Sequence, residues 1–107
     1  MNPCSPQELK AKLDRGEDFL LLDVRTEEEI AIASLPHSTH IRLDELEARL
    51  GELAGWKSKE VVAMCHHGVR SQMAQRFLAS QGFTLVRNLT GGIDAYSAIA
   101  DSKVPRY

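Results

Sequence analysis

"EVVAMCHHGVRSQMAQRFLASQG", residues 60–82, joins two patterns end to end. Val61, Val62, Ala63, Met64 and Cys65 make a continuous apolar run, the mark of a strand buried on both faces. From about Arg70 or Ser71, Ala74, Phe77 and Leu78 recur at helical spacing, and Gly82 is a C-terminal stop. Only residues 66–70 are left to reverse the chain between strand and helix. A buried strand that turns straight into a helix is the building unit of a parallel α/β sheet with right-handed crossovers.

The same alternation extends outward. "SPQELKAKL" opens a helix: Ser5 caps, Pro6 suits the first helical position, and Glu8 completes a capping box. "FLLLDV", residues 19–24, is a second buried strand ended by Asp23. "TEEEIAIA" reads as a short helix capped by Thr26. "LPHSTHIRL" is extended or looped, which makes His37 and His40 solvated loop histidines. "LDELEARLGEL" carries Leu43, Leu46, Leu50 and Leu53 at helical spacing. "FTLVRNL" is a third strand, "TGGIDAYSAIA" a turn into a last helix, and "SKVPRY" a tail. Cys4 falls in a frayed terminus.

The chain has 107 residues, 43% of them hydrophobic, which fits one domain spanning 1–107 with a single core. Thirteen Lys plus Arg face fifteen Asp plus Glu. That balance excludes the basic stripe of a nucleic-acid or anionic-membrane binder. No apolar run approaches the ~18–20 residues of a membrane span. The opening "MNPCSPQELK" lacks the basic-then-apolar order of a secretory leader, so a cytoplasmic, reducing setting is expected. Two cysteines, Cys4 and Cys65, do not make a disulfide framework. No exposed apolar stripe demands a dimer, so a monomer is expected.

In parallel sheets, function gathers at the carboxyl ends of strands. Three features fall there: Asp23 to Arg25, Cys65 to Arg70, and Thr90 to Gly92. The second holds the chemistry. Gly68 allows a positive φ in mid-turn. A tight loop entering a helix turns backbone N–H groups inward as an anion nest, reinforced by the helix N-terminus. A thiol at its centre is stabilised as thiolate. Arg70 adds a fixed cation for an oxyanion or carboxylate. The bland reading is an inert buried cysteine beside a turn; strand end, glycine, arginine and helix start together favour a reactive thiolate.

Zinc fits less well. Cys65, His66 and His67 are consecutive and do not easily face one ion, and structural sites use paired ligands two to four residues apart. No metal or other cofactor is expected. A cysteine-dependent phosphatase or arsenate reductase would have five residues between cysteine and arginine; here four, His66, His67, Gly68 and Val69, separate Cys65 from Arg70. The smaller cradle suits one sulfur atom carried on the cysteine better than a tetrahedral phosphate.

Nearly the whole chain resembles the rhodanese-like domains, single-domain sulfurtransferases. "SPQELKAKLDRGEDFLLLDVRTEEEI" resembles the family's opening helix and its strand ending in Asp-Val-Arg. "CHHGVRS" resembles its active loop, and "GFTLVRNLTGGIDAYS" its closing strand, Gly-Gly and helix. "VPRY" further resembles rhodanese domains fused behind ubiquitin-like-activating enzymes, which hand sulfur to small carrier proteins. Two departures stand out. Where the family often has Gly-His-Ile-Pro-Gly-Ala, this chain reads Ala33, Ser34, Leu35, Pro36, His37, Ser38, which puts the local turn in question. Tyr96 stands where tryptophan is usual.

The resemblance implies a three-layer α/β domain with a mostly parallel sheet of about five strands and helices on both faces. It implies sulfur transfer by double displacement. Cys65 attacks a sulfane sulfur, as in thiosulfate or a donor persulfide, and becomes a persulfide; a thiol, cyanide or sulfur-carrier protein then removes the outer sulfur. The N–H groups of residues 66–70 would stabilise the persulfide anion and Arg70 would orient an anionic substrate. His66 and His67 either add donors at the rim or are solvated. Asp23 either caps the following turn or braces the loop or Arg70. Arg25 is expected to pair with Glu28 or Glu29. Ser71 is expected to direct its hydroxyl to backbone or thiolate. The competing class is a non-catalytic rhodanese-like binding module.

Overall fold

The computed structural model of the chain describes residues 2–107. Five strands form one sheet: β1 (Asn2–Cys4), β2 (Leu20–Asp23), β3 (Ser38–His40), β4 (Glu60–Met64) and β5 (Leu85–Leu89). Their order across the sheet is β1-β5-β4-β2-β3 and every pairing is parallel. The helices are α1 (Pro6–Asp14), α2 (Glu27–Ile32), α3 (Val69–Ser80) and α4 (Gly92–Ala95), the last running on into a wider π turn over Tyr96–Ala100. Among the described residues no helix is long and apolar enough to cross a membrane.

The apolar runs of β2 and β4 divide by the two-residue period of a strand. Leu20, Leu22, Val61, Ala63 and Cys65 face one side, where Ala74 and Leu78 of α3 pack with Leu46 and Leu53. Leu21, Val62 and Met64 face the other, with Leu9 of α1, Ile93 and Tyr96. This gives the three layers expected, and it explains why these strands read as unbroken apolar runs. Tyr96 fills its place in the second cluster at 3% exposure.

The helix starts follow their capping signals. Ser5 and Glu8 exchange backbone and side-chain bonds at α1, and Thr26 and Glu29 do the same at α2. Three expectations are corrected. Cys4 is not frayed: it is fully buried in β1, which pairs with the edge of β5. "LDELEARLGEL" is not one α-helix; it forms two 3₁₀ segments, Leu43–Glu45 and Leu50–Trp56. Gly51 and Gly55 weaken a longer helix there, while Leu46 and Leu53 still reach the core. His40 is not a solvated loop residue: it closes β3, with Nε2 2.6 Å from the Arg25 carbonyl oxygen. His37, where the related domains often have glycine, holds a left-handed φ of 63°.

Candidate functional site

β4 lies in the middle of the sheet, and Cys65 is the residue that follows it. The chain then turns through Gly68, at φ 107°, directly into α3, which starts at Val69. That turn brings the Gly68 N–H to 3.1 Å from the Cys65 Sγ and the Ser71 N–H to 3.4 Å. Two backbone donors thus point at one sulfur beside the start of a three-turn helix. The Ser71 hydroxyl lies 3.3 Å from the sulfur and also hydrogen-bonds Asn88 Oδ1. It has one proton to give, so it can serve Asn88 or the sulfur, and it accepts from a Cys65 S–H.

The loop is clamped from behind by the start of α4. Ile93 N–H donates to the Cys65 carbonyl at 2.9 Å and Asp94 N–H to the His66 carbonyl at 3.1 Å. Gly91 and Gly92 make this approach possible. Both have positive φ, and a Cβ on Gly92 would stand 2.3 Å from the His66 carbonyl oxygen. Asn88 closes the third side, with Nδ2 3.1 Å from the Gly68 carbonyl. Asn88 was not singled out from the sequence, where it stands beside Arg87 in the strand "LVRNL" and reads as one more polar strand residue.

Asp23 and Arg25 form a fully buried ion pair rather than contacts with the loop or with Glu28. Arg25 Nε and Nη2 donate to the two Asp23 carboxylate oxygens at 2.9 and 2.7 Å. Its remaining donors reach the Ala33 carbonyl, the Glu29 carbonyl and the Tyr107 hydroxyl. Each N–H of the guanidinium therefore has an acceptor, which a buried arginine requires. The pair ties β2 to the segment after α2 and to the tail. It does not touch Cys65.

The Glu29 side chain belongs to Arg70 instead. Arg70 Nη1 and Nη2 donate to its two oxygens at 2.6 and 2.8 Å. The Tyr107 hydroxyl donates to Glu29 at 2.7 Å while accepting from Arg25. Arg70 holds the Glu29 carboxyl well below the usual carboxylate range; burial opposes this and Tyr107 adds to it. Burial chiefly pushes the Tyr107 phenol up to about 12, which keeps its proton available to Glu29. Glu29 and Tyr107 were not assigned to the site from sequence. Glu29 three residues after Thr26 reads as a capping-box residue, which it also is.

His66 stacks on the Tyr107 ring, centroids 3.9 Å apart and 8° from parallel, and its Nε2 is 2.8 Å from the Tyr107 carbonyl oxygen. His67 is exposed, 3.8 Å from an Asp94 oxygen. Consecutive histidines do face one another here: the ring centroids are 3.8 Å apart, and with Asp94 they form a group whose ligand atoms lie within 4.8 Å. Arg106 already answers the Asp94 carboxylate through two bonds of 3.0 and 3.2 Å. Val69, at 70% exposure, stands at the mouth of the loop.

Cys65, His66, His67, Gly68, Val69, Arg70 and Ser71 are thus brought together as one loop, with Asp23 and Arg25 set behind α2. Cys4 is a separate thiol on the other side of the sheet, pushed up to about 11 chiefly by burial.

Comparison with known proteins gives the same picture. The rhodanese-like domain family matches residues 5–99. A sulfurtransferase of Allochromatium vinosum is 35% identical over 97 residues, 91% of this chain and 89% of that protein. An adenylyltransferase and sulfurtransferase of Arabidopsis thaliana is 34% identical over 96% of this chain, which spans a quarter of that protein's length. The crystal structure of a rhodanese-like domain protein from Staphylococcus aureus superposes with a TM-score of 0.84 at 28% identity, covering 100% of this chain and 99% of that one.

Proposed function

The chain belongs to the rhodanese-like domain family of sulfurtransferases, and from that premise we propose that it carries sulfane sulfur as a persulfide on Cys65. One observation carries this reading: the Cys65 sulfur sits at the carboxyl end of the central strand with two backbone N–H groups aimed at it. The loop that supplies them has four residues between Cys65 and Arg70, one fewer than a cysteine-dependent phosphatase would have, which favours a single carried sulfur over a phosphate.

In the first half-reaction the Cys65 thiolate attacks the outer sulfur of thiosulfate or of a persulfide. The new S–S bond forms as the old one breaks, and sulfite or a thiolate leaves with the electron pair. In the second, a thiolate acceptor or cyanide takes the outer sulfur and Cys65 is released as thiolate. The Gly68 and Ser71 N–H groups stabilise negative charge on sulfur throughout. Ser71 and Asn88 hold the loop's shape, and Asp23 with Arg25 anchors the segment that carries Glu29. The scheme is proposed for a monomeric domain over residues 1–107. Both cysteines are free, and a thiolate carrier works best in a reducing compartment such as the cytoplasm. A small sulfur-carrier protein with an exposed acceptor group is a fitting partner, because the loop mouth is open at Val69 and His67.

The test is steady-state transfer from thiosulfate and from glutathione persulfide to cyanide or dithiothreitol. Parallel double-reciprocal lines for wild type and no turnover for Cys65→Ser are expected. Turnover that survives Cys65→Ser contradicts the assignment.

A further inference from the structure

Arg70 is the cation that an anionic donor would meet at the loop, and its anion position is taken. Both terminal nitrogens of its guanidinium are bonded to Glu29. Glu29 is itself fixed three ways: by Arg70, by the Thr26 backbone N–H at 3.2 Å, and by the Tyr107 hydroxyl. It is only 16% exposed. This is not a loose surface pair that a passing anion displaces at little cost.

The surroundings are equally neutralised. A cleft of about 490 Å³ opens beside Arg70, lined by Val24, Thr26, Arg42, Leu43 and Asp44. Its other cation, Arg42, is bonded to Asp44 at 3.0 Å and to Glu27 at 3.2 Å. Arg25 is committed to Asp23, and Arg106, on the far side of the loop, to Asp94. Each arginine around the thiol is matched by a carboxylate. What remains at the sulfur is the pair of backbone donors with the Ser71 hydroxyl beside them, enough for one negative charge on one sulfur atom.

We propose that Glu29 is a specificity-determining residue: by occupying the anion position of Arg70 it selects against small dianionic donors such as thiosulfate and for donors whose sulfane sulfur is borne on a thiol. This rests on the sulfur-transfer reading above and narrows its substrate. A persulfide R–S–S⁻ brings one negative charge, on a sulfur the loop amides can meet, and an organic group that the partly apolar cleft can house. Thiosulfate brings two charges and no apolar part. The favoured step balances as follows: the Cys65 thiolate bonds to the terminal sulfur of R–S–S⁻, the S–S bond breaks, R–S⁻ leaves with the electron pair, and Cys65–S–S⁻ remains with its charge at the loop amides. No outside oxidant or reductant takes part.

The experiment compares kcat/KM for thiosulfate and for glutathione persulfide in wild type, Glu29→Gln and Tyr107→Phe. Wild type is expected to favour the persulfide by tenfold or more. Glu29→Gln keeps the shape but removes the charge, and is expected to raise kcat/KM for thiosulfate about tenfold, mostly through KM, with the persulfide value within threefold of wild type. Tyr107→Phe, which removes one of the two donors to Glu29 Oε2 and so loosens its hold on Arg70, moves the ratio the same way by a smaller factor and gives a readout should Glu29→Gln fail to fold. A ratio of donors unchanged in a folded variant overturns the proposal, as does a wild type that prefers thiosulfate. A merely structural role for Glu29 lowers both donors equally and overturns it too. If wild type accepts sulfur from neither donor, it is the sulfur-transfer reading that fails.

Discussion

Gly92 is the residue on which the loop's position depends most directly. At φ +64° a side chain is already disfavoured, and a Cβ would fall 2.3 Å from the His66 carbonyl oxygen and 2.5 Å from that of Cys65. Those atoms are backbone and cannot step aside without unseating the loop. Gly92→Ala is therefore expected to cost more than about 2 kcal/mol in urea unfolding and to abolish transfer. A stable variant with full activity would show that the clamp is dispensable. The two cysteines offer a contrast at the same scale. Cys4 is fully buried and its thiol is pushed up to about 11, so native protein treated with iodoacetamide at neutral pH is expected to leave Cys4 unmodified. Mapping of the adduct by peptide mass checks this.

At the scale of elements, the Asp23–Arg25 pair fastens β2, α2 and the tail together. Both side chains are fully buried. Removing one partner leaves the other charged and unpaired, so Asp23→Ala is expected to cost about 3–5 kcal/mol, read from the urea midpoint. His37 presents the opposite case. Its left-handed φ of 63° suits glycine, and the side chain is exposed. His37→Gly is expected to stabilise by ~0.5–1 kcal/mol, the relief of the left-handed conformation exceeding the added freedom of the unfolded chain. A lower unfolding midpoint would contradict this. β2, β4, α1 and α3 were legible in the sequence because apolar runs and capping signals are local. β1 was not: "NPC" has no apolar run, and Pro3 is tolerated only because the strand lies at the sheet edge. The leucines of 43–53 fit an α-helix and 3₁₀ turns alike, since either brings Leu46 and Leu53 to the core.

For the whole molecule, the loop and its chemistry could be read from spacing, while its partners could not. Glu29, Asn88 and Tyr107 reach the site from segments 41 residues before, 23 after and 42 after Cys65 or Arg70 in the chain, and local pattern carries no record of such approaches. Their coupling has a consequence for pH. Arg70 holds the Glu29 carboxyl below its ordinary value of about 4.5, so the folded state binds its proton less readily than the unfolded state. The stability from this contact is present above that ordinary value and is lost as pH falls through it toward the folded one. The gap in thermal midpoint between wild type and Glu29→Gln is therefore expected to stay level from neutral pH to about 4.5 and to narrow below it. A gap that widens on acidification would contradict the ion pair.

The central claim is that Cys65 itself carries the sulfur, and intact mass measures that directly. Reduced protein is incubated with glutathione persulfide, and separately with thiosulfate, desalted and weighed. The account predicts a gain of one sulfur atom, reversed by dithiothreitol, present in Cys4→Ala and absent in Cys65→Ala. No sulfur gained from either donor, or a gain that persists in Cys65→Ala, would contradict it and leave the loop as a docking surface without chemistry of its own.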